Sequence, residues 1–550
     1  MISTKDIFNY KFDEQYKKPI AYFSMEFAID QSLKTYSGGL GFLAGSHMRS
    51  AYELRQNLVG IGMLWKYGYY DQERTIDNTL KVSYTEKNYY FLHDTGIIFP
   101  ISIHNADIYL KAYMLKPETF NTCPVFFLTT DIAENDHISQ TITHRLYDSN
   151  EATRIAQSIV LGVGGAKLLD ILERKTEIYH MNEGHALPLA FYLYQKYGNK
   201  IKDVKKHLVF TTHTPEKAGN EVHSVFLLNK MSFFGTVNIA EVKQITNYEY
   251  DHLDYTLTAL RMAKVANAVS KMHKEVSDKM WKSYEGVCEI KAITNAQNKT
   301  YWKDEVLEQA LSKDDDELLM RRKKELKKQL FKIIANQSGK LFDENILTLV
   351  WARRFAGYKR ADLMMRDRKV FDALLRNDKM PIQIIWAGKP YPEDFGAIHI
   401  FNDLVWSAKP YANVAVLTGY ELELSAYLKK GSDVWLNNPN LYREASGTSG
   451  MTAAMNASVN FSIADGWVPE FAKHGHNSFI IPYADRKLNQ EEQNNLESKS
   501  LMNILQNEIL PTYYKKPKEW CNIVKNAMRE VAPTYDSNRM AHEYYVELYD

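Results

Sequence analysis

The chain has 550 residues, of which 45% are hydrophobic and 25% are charged, as in soluble globular proteins. This length predicts two or three domains rather than one. Its 68 basic and 67 acidic residues give a formal net charge of +1. A general nucleic-acid binder carries a basic excess, so nucleic acid is not an expected partner. No apolar run approaches the roughly 20 residues that span a bilayer, so no membrane partner is expected either.

The cysteines and the start of the chain indicate the compartment. The segment from Met1 to Phe8 is polar and mixed in charge, without the apolar stretch of a signal peptide. Cys123, Cys288 and Cys521 are odd in number and far apart, which favours neither a disulfide framework nor a metal cluster. We therefore expect a cytoplasmic protein and no metal site.

Short apolar runs alternate with helical patterns in two series. The runs of the first half are 20–24, 177–181 and 207–212, and those of the second half are 346–351, 382–386, 414–417 and 434–436. Continuous apolar runs are typical of parallel strands that are buried on both faces. Two such series predict an α/β protein with two doubly wound, Rossmann-like domains that face each other across a cleft.

The predicted domain boundary follows Asn295, where the strand pattern gives way to a charged helical stretch at 304–337. The acidic run 314–317 and the basic run 321–324 of this stretch are expected to be solvated helix faces. The sequence ends in an amphipathic helical pattern at 537–549. We predict an N-terminal domain over 1–297, a C-terminal domain over 298–530 and a final helix within 531–550.

A glycine-rich turn, Tyr36-Ser-Gly-Gly-Leu-Gly41, precedes a helical stretch. Glycines such as Gly38 and Gly39 let backbone N–H groups approach an anion or a sugar at a helix start. A purely structural turn is the alternative. The turn is not a Walker-type loop, because no Gly-Lys-Ser/Thr follows it.

A basic turn follows the apolar run at 346–351. It contains Arg353, Arg354, Lys359 and Arg360, and a helix is predicted to begin at about Ala361. Cations beside a helix N-terminus oppose the helix dipole, and an anion between them would resolve the conflict. We therefore predict a phosphate clamp, with a solvated basic loop as the alternative.

Two further segments carry candidate binding groups. Glu444-Ala-Ser-Gly-Thr-Ser-Gly-Met451 opens a helix, and its carboxylate, hydroxyls and glycines suit a sugar, although a simple helix cap would also use one of them. Thr211-Thr-His213-Thr-Pro215 follows a strand, where a histidine contacts a ligand or is structural. The chain lacks the Gly-x-Ser-x-Gly elbow of serine hydrolases.

Together these segments resemble the α-glucan phosphorylase family, in particular its shorter bacterial and archaeal branch. The similarity covers nearly the whole chain, with the family's motifs in the family's order. The motifs are Ala21-Tyr-Phe-Ser-Met-Glu26, Tyr36-Ser-Gly-Gly-Leu-Gly41, His180-Met-Asn-Glu-Gly-His185, Thr211-Thr-His-Thr-Pro215, Arg354-Phe-Ala-Gly-Tyr-Lys-Arg360, Trp386-Ala-Gly-Lys389 and Glu444-Ala-Ser-Gly-Thr-Ser-Gly-Met451.

The resemblance implies the GT-B fold, two Rossmann-like domains with the site between them and a last helix that packs back on the first domain. It also implies transfer of glucose between the end of an α-1,4-glucan and phosphate, with retention at the anomeric carbon. The implied roles fall into three groups. The first group, Arg354, Lys359 and the backbone of Gly39 with Gly38 beside it, would bind the substrate phosphate. The second would bind the sugar hydroxyls and consists of Glu444, Ser446, Gly447, Asn295 and His213. The third would surround the cofactor phosphate and consists of Arg353, Thr448 and Ser449.

The sequence departs from the family pattern at the position of the cofactor. The family has a lysine there that forms a Schiff base with pyridoxal phosphate, whereas this chain has Thr452, which has no amine. The residues before Glu444, at 441–443, and those after Asn295, at 296–298, also differ from the usual pattern. We therefore expect no Schiff base and assign no cofactor.

Three hypotheses of function follow. The first is a retaining hexosyltransferase that uses a nucleotide-sugar donor, whose diphosphate replaces the substrate and cofactor phosphates. The second is an α-glucan phosphorylase with non-covalent cofactor, and the third is a non-catalytic glucan-binding protein. The expected partners are a sugar donor and a glucan or other hydroxyl acceptor, and a homodimer is left open. The complete phosphate clamp around the missing lysine argues against the third hypothesis, and the first hypothesis is ranked slightly above the second.

Overall fold

The computed structural model describes residues 7–550. Most of the segment from Met1 to Phe8, which shows no signal-peptide pattern, therefore lies outside the described residues. The described chain forms two compact units. Unit 1 comprises the described residues up to Tyr70, together with Tyr84–Asn295 and Ser537–Asp550. Unit 2 comprises Asp71–Ser83 and Ala296–Asp536. The contiguous domains 1–297, 298–530 and 531–550 remain a prediction.

The strands are short, and most of them are fully buried. In chain order they are β1 Ile20–Phe23, β2 Leu58–Met63, β3 Asp71–Arg74, β4 Leu80–Ser83, β5 His93–Ile103, β6 Ala106–Leu115, β7 Val125–Thr129, β8 Ile178–Asn182, β9 Leu208–Thr211, β10 Val222–Ser224, β11 His252–Asp254, β12 Val265–Ala268, β13 Ile290–Ala292, β14 Leu347–Ala352, β15 Ile382–Ala387, β16 Val414–Leu417, β17 Val434–Asn437, β18 Val459–Ile463 and β19 Ser478–Ile481.

Unit 1 contains a nine-stranded sheet in the order β13-β12-β9-β8-β1-β2-β7-β6-β5. Its strands pair in parallel except at β6, which is antiparallel to β5 and to β7. Strands β10 and β11 form a separate antiparallel pair. The strands predicted from the first-half apolar runs, β1, β8 and β9, are adjacent in the centre of the sheet.

Unit 2 contains a six-stranded sheet in the order β16-β15-β14-β17-β18-β19, in which every pair is parallel. Strands β3 and β4 form an antiparallel hairpin that joins this unit. The Gln72 side chain fixes the hairpin, since it donates to the Gly388 carbonyl (2.8 Å) and accepts from the Gly419 N–H (2.9 Å).

Helices connect the strands of both units. They are Gly39–Glu53, Pro117–Phe120, His137–Gln140, Glu151–Ile159, Gly165–Ile171, Pro188–Lys196, Ile201–His207, Val225–Lys230, Ile239–Thr246, Tyr255–Met262, Lys271–Trp281, Lys299–Trp302, Glu305–Ser312, Asp316–Ser338, Arg368–Leu375, Phe395–Ala408, Leu422–Gly431, Ser449–Ala454, Val468–Phe471, Gln490–Ile504, Leu510–Lys515, Pro517–Tyr535 and Ser537–Glu543. Among residues 7–550, no helix has both the length and the apolar character needed to cross a membrane.

The predicted mixed α/β fold with parallel sheets is confirmed. All seven apolar runs coincide with strands to within two residues at each end. The helix predicted at about Ala361, however, is wrong. Arg360 takes a left-handed φ of 50°, and the next α-helix is Arg368–Leu375. A left-handed residue cannot continue a right-handed helix, so the turn has no helix dipole for its cations to oppose.

Two more predictions about charged residues need correction. The guanidinium of Arg360 is not part of a phosphate clamp, because it is buried, donates to the carbonyls of Asn438 (2.9 Å) and Pro439 (2.8 Å), and pairs with the carboxylate of Glu497 (2.6 Å). The basic run 321–324 is not a fully solvated face, because Lys323 is buried. Its ammonium donates to two backbone carbonyls of unit 2, and burial lowers its pKa to about 7.

The C-terminal segment belongs to unit 1 and contributes to its core. The Tyr549 hydroxyl lies 2.7 Å from Nδ1 of His180, a buried residue of β8. Nε2 of His180 lies 2.6 Å from the Thr211 hydroxyl, which itself donates to Asn267 Oδ1 (2.6 Å). Thr211 must therefore accept from Nε2–H, so Nδ1 is the acceptor for Tyr549. Burial holds the pKa of His180 well below its usual range, which keeps the ring neutral.

Replacing Tyr549 by Phe is expected to lower the free energy of unfolding by about 1–3 kcal/mol. The change leaves the Nδ1 lone pair of His180 buried without a donor. The matched control is Tyr90→Phe, because Tyr90 is 98% exposed and its hydroxyl loss should change stability by less than about 0.5 kcal/mol. Urea unfolding of both variants measures the difference, and equal stabilities would contradict the role of Tyr549.

Candidate active site

Three neighbouring strands of unit 2 end at one edge of its sheet. Strand β14 lies beside β17, and β17 lies beside β18. The basic turn 353–360 follows β14, the segment 438–448 follows β17, and the turn 464–466 follows β18. Since the carboxyl ends of parallel strands meet at the same edge, these three segments come together where open α/β sheets bind ligands.

Glu444 lies among the cations of the basic turn. Its Oε2 atom is 2.5 Å from Arg353 Nη2 and 3.2 Å from Lys359 Nζ, and its Oε1 atom is 3.5 Å from Lys359 Nζ. The three side chains are largely buried, with exposed fractions of 8% for Arg353, 10% for Lys359 and 15% for Glu444. The predicted phosphate clamp and the predicted sugar ligand are thus directly paired.

The charges of this cluster decide the protonation state of Glu444. Burial raises the pKa of its carboxyl, but the charges of Arg353 and Lys359, with a smaller effect from Arg354, outweigh it and lower the pKa to about 2. Glu444 is therefore ionised at neutral and mildly acidic pH. A carboxylate with a sugar hydroxyl beside it acts only as a hydrogen-bond acceptor in this state.

Arg353 has donors that Glu444 does not satisfy. Nε and Nη1 of its guanidinium are buried and have no hydrogen-bond partner among residues 7–550. A buried donor without a partner costs about 1–3 kcal/mol, and more when the group is charged. These two donors point to different sides of the guanidinium, and each could form a charge-assisted bond to an oxygen of an anion.

Asp465 holds the segment that carries Glu444. Its Oδ2 atom accepts from the backbone N–H groups of Arg443 (3.2 Å) and Glu444 (3.0 Å), and its Oδ1 atom accepts from that of Gly466 (2.9 Å). Asp465 is 2% exposed. Its burial, together with the negative charge of Glu444, raises its pKa to about 6 despite these bonds.

Gly466 lets two of the segments approach each other closely. It has a φ of 61°, and a Cβ there would lie 2.2 Å from the carbonyl oxygen of Ser446. The same Ser446 carbonyl accepts from the Trp467 N–H at 3.0 Å. Ser446 is buried and donates its hydroxyl to the Gly447 carbonyl (3.2 Å), and Gly447 has a φ of 75°. Backbone contacts thus fix the predicted sugar-binding segment.

The helix Ser449–Ala454 follows this segment and contains the position of the cofactor lysine. Thr448 precedes its first turn, and the Ser449 hydroxyl accepts from Trp435 Nε1 at 3.2 Å. Thr452 is fully buried, and its hydroxyl donates to the Ser449 carbonyl at 3.0 Å. This position offers neither an amine nor an unsatisfied polar group, so covalently attached pyridoxal phosphate does not fit it.

In unit 1, the glycine-rich turn is organised by Glu26. The Glu26 carboxylate accepts from the backbone N–H groups of Ser37 (2.6 Å) and Gly38 (3.0 Å) and from the Tyr147 hydroxyl (2.6 Å). The helix Gly39–Glu53 begins at the next residue. A Cβ at Gly38 or Gly39 would meet no described atom within 4 Å, so packing within the unit does not require glycine at either position.

The other predicted residues of unit 1 are His213 and Asn295. His213 Nε2 lies 2.7 Å from Asn182 Oδ1, and burial lowers the pKa of the histidine to about 3, so the ring is neutral. Asn295 is 5% exposed, and its side-chain carbonyl has no hydrogen-bond partner among residues 7–550. An unsatisfied buried acceptor at this position would suit a ligand hydroxyl.

Asp465, Gly466 and Glu26 were not predicted as site residues. Glu26 ends the motif Ala21-Tyr-Phe-Ser-Met-Glu26, which supports the family resemblance but does not by itself indicate a binding role. Asp465 and Gly466 lie in Ala464-Asp-Gly-Trp467 after an apolar run, where a glycine after an acidic residue indicates only a turn. No spacing along the chain relates Asp465 to Glu444, because the contact arises from the adjacency of β17 and β18.

Comparisons with known proteins give the chain its family. No family model matches it. It is 48% identical to an uncharacterised protein of Methanocaldococcus jannaschii, over 97% of this chain and the whole of that protein. It is 30% identical to the maltodextrin phosphorylase of Thermococcus litoralis, over 97% of this chain and 71% of the other. The chain belongs to the α-glucan phosphorylase family. A third relative, the glycogen phosphorylase of Aquifex aeolicus, is 29% identical over 98% of this chain and 87% of the other.

Family membership confirms the resemblance to the phosphorylase family and assigns the chain to a group of glycosyl-transferring enzymes. The shorter bacterial and archaeal branch remains a prediction. The replacement of the cofactor lysine by Thr452 is not tested by these relatives. The roles of Arg354, Lys359, His213 and the other site residues also remain predictions. Arg353 and Lys359 pair with Glu444, so these two cations of the turn already have a counter-charge within unit 2.

Replacing Glu444 by Gln is expected to lower the free energy of unfolding by about 2–4 kcal/mol at pH 7, because two largely buried cations lose their counter-charge. The folded-state pKa of about 2 lies below the ordinary value of 4.5, so this contribution is present above pH 4.5 and is lost as the pH falls towards 2. Urea unfolding across this range should show the difference between variant and wild type shrinking.

The control for this experiment is Glu393→Gln, which changes an exposed carboxylate of the same unit. Its effect at pH 7 should stay within about 0.5 kcal/mol. If Glu444→Gln is as stable as this control at pH 7, the cation–carboxylate pairing does not stabilise unit 2.

Proposed function

We propose that this protein is a retaining hexosyltransferase with the GT-B fold of its family, and that its donor is a nucleotide sugar. Arg353, Arg354 and Lys359 would bind the phosphate groups of the donor, and Glu444 would bind hydroxyls of the transferred hexose. The acceptor would be a glucan or another hydroxyl compound. A cytoplasmic location belongs to the same proposal, and nucleic acid is not among the proposed partners.

The observation that carries this proposal is the state of Arg353. One of its three nitrogens is paired with Glu444, while Nε and Nη1 are buried and have no partner among residues 7–550. Phosphate oxygens of a diphosphate that accept from each of these nitrogens would remove this cost and form charge-assisted bonds. Arg354 and Lys359 add two positive charges in the same turn, which suits a diphosphate better than a single monoanion.

The chemistry of the transfer follows from these groups. The bond between the anomeric carbon of the hexose and the donor phosphate oxygen breaks, and the acceptor oxygen bonds to the same carbon on the same face. The acceptor proton passes to the leaving phosphate. Cations that contact the leaving oxygens stabilise the charge that develops on them in the transition state. Glu444, which is ionised, would orient the hexose by accepting from its hydroxyls.

An α-glucan phosphorylase is the second candidate, and two of the three named relatives favour it, since they are phosphorylases. Thr452 excludes a Schiff base at the family position, so any pyridoxal phosphate would be held by non-covalent contacts alone. A non-catalytic glucan-binding protein is the third candidate. Buried cations with unmet donors argue against it, because neutral glucans do not require them.

Replacing Arg354 or Lys359 by Ala is expected to weaken binding of the donor by about 1.5–3 kcal/mol, roughly 10- to 150-fold in Kd, for each charged hydrogen bond lost. Isothermal titration with UDP-glucose, ADP-glucose and glucose 1-phosphate measures this effect. Arg368→Ala is the control, since Arg368 is an exposed cation of unit 2 that bonds only the Ser407 hydroxyl among the contacts described.

The same three variants distinguish the candidates when transfer is assayed. Hexosyl transfer from a nucleotide sugar to a maltooligosaccharide supports the proposal if Arg354→Ala and Lys359→Ala reduce it and Arg368→Ala does not. Release of glucose 1-phosphate from a maltooligosaccharide and phosphate, dependent on added pyridoxal phosphate, makes the phosphorylase the correct candidate. If the protein binds glucan but catalyses no transfer, and neither Arg354→Ala nor Lys359→Ala affects this binding, the non-catalytic glucan-binding protein is the correct candidate.

The purified protein is expected to carry no covalent pyridoxal phosphate, because the side chain of Thr452 has no amine and is buried. Borohydride reduction followed by intact-mass measurement tests this. Thr452→Lys, incubated with the cofactor and reduced in the same way, is the matched positive control for the labelling. A stable mass increase in the wild-type protein, mapped to any lysine, would show the prediction to be wrong.

A further inference from the structure

Tyr442 has an unusual backbone conformation two residues before Glu444. Its φ is 68°, in the left-handed region that favours glycine. It is the third residue of a four-residue turn that is closed by a bond from the Arg443 N–H to the Asn440 carbonyl (3.2 Å). A bulky residue there costs about 1–3 kcal/mol and persists only where the surroundings enforce it.

Asp465 enforces this conformation. Its carboxylate accepts from the backbone N–H groups of Arg443 and Glu444, and a backbone hydrogen bond from Tyr442 also lowers its pKa. At the other end of the turn, the Asn440 N–H donates to the Tyr358 carbonyl of the basic turn at 2.8 Å. The carboxylate of Asp465 thus holds the strained turn, although burial of a charged group is unfavourable.

Packing within unit 2 does not explain why the residue is a tyrosine. The side chain is 48% exposed, whereas its neighbour Leu441 is 7% exposed and belongs to the core of the unit. Five residues further along, the same segment takes a left-handed φ of 75° with a glycine, Gly447. Tyr442 therefore presents a large ring at the surface in a conformation that glycine would adopt more readily.

We propose that the ring of Tyr442 is a stacking platform for a hexose ring whose hydroxyls bind Glu444. Binding sites commonly combine aromatic faces with a small number of fixed polar groups. A pyranose offers both partners, since its hydroxyls suit the carboxylate and its C–H face suits the aromatic ring. The turn fixes both side chains relative to each other, because Asp465 binds the backbone of each. This inference rests on the proposed function, and it adds a residue that selects the sugar.

The test compares Tyr442→Ala, Tyr442→Phe and Tyr442→Gly with the wild type in titrations with glucose 1-phosphate, UDP-glucose, UDP and maltopentaose. Tyr442→Ala should weaken binding of the sugar ligand by about 2- to 12-fold, the size expected for a lost aromatic contact, while Tyr442→Phe, which keeps the ring, should bind as the wild type does. Tyr442→Gly should weaken the sugar as much as Ala, yet melt at the same or a higher temperature, because the backbone strain is relieved.

Tyr250 provides the matched control. It is also a tyrosine with a left-handed φ, of 49°, and it is 91% exposed, but it lies in unit 1. Tyr250→Gly should change the melting temperature in the same direction as Tyr442→Gly and leave all four titrations unchanged. A binding change in this control would mean that the effect at Tyr442 is not local.

The outcomes separate this inference from the proposed function. If Arg354→Ala loses the donor but Tyr442→Ala binds every sugar ligand as the wild type does, the proposed function stands and the platform is wrong. If Tyr442→Ala weakens UDP as much as UDP-glucose, the ring stacks on a base and not on a hexose. If Tyr442→Phe is as weak as Ala, the hydroxyl matters and stacking is wrong. A wild-type protein that binds none of the sugar ligands overturns both proposals.

Discussion

The parallel pairing of β14, β17 and β18 is the constraint on which the rest of the candidate site depends. It makes three segments, 353–360, 438–448 and 464–466, leave the sheet of unit 2 at one edge. The first segment contributes cations, the second a carboxylate and small residues, and the third the buried Asp465. If any of these strands were antiparallel to its neighbours, its segment would lie at the opposite edge.

Within this edge, charge and backbone conformation are coupled through Glu444. Arg353 and Lys359 hold its side chain in an ionised state, while Asp465 holds its backbone. The two carboxyl groups respond in opposite directions to the same neighbourhood. Cations lower the pKa of Glu444, whereas burial and the charge of Glu444 raise that of Asp465 to about 6. Asp465, which titrates at mildly acidic pH, thus holds the backbone of Glu444, which stays ionised there.

Much of the fold could be predicted from the sequence, because buried parallel strands appear as continuous apolar runs. Strands β5 and β6 were not predicted, since their exposed and buried residues alternate and no continuous run marks them. The helix at about Ala361 was predicted wrongly, because nothing in the sequence indicates that Arg360 is left-handed. Its φ follows from its buried bonds to Asn438, Pro439 and Glu497, which are distant in the chain.

Motifs in the sequence predicted individual residues of the candidate site but not the contacts between them. Arg353, Lys359 and Glu444 were identified separately, but their direct pairing depends on side-chain distances that no spacing encodes. Asp465 was missed for the same reason. The backbone strain at Tyr442 could not be predicted either, because a tyrosine in a turn does not indicate a positive φ. Sequence patterns thus located the chemistry, and tertiary contacts determined how its parts act on one another.

Thr452 and Arg353 differ in how completely the chain satisfies them, and this difference indicates where ligand chemistry acts. Thr452, the residue predicted to replace the cofactor lysine, is fully buried, and its hydroxyl bonds a carbonyl of its own helix, as in an ordinary part of the core. Arg353 is equally enclosed but keeps two donors without a partner among the described residues. A folded protein tolerates such a cost where a bound group offsets it. An anion beside Arg353 would satisfy these donors, whereas the hydroxyl of Thr452 already has its partner.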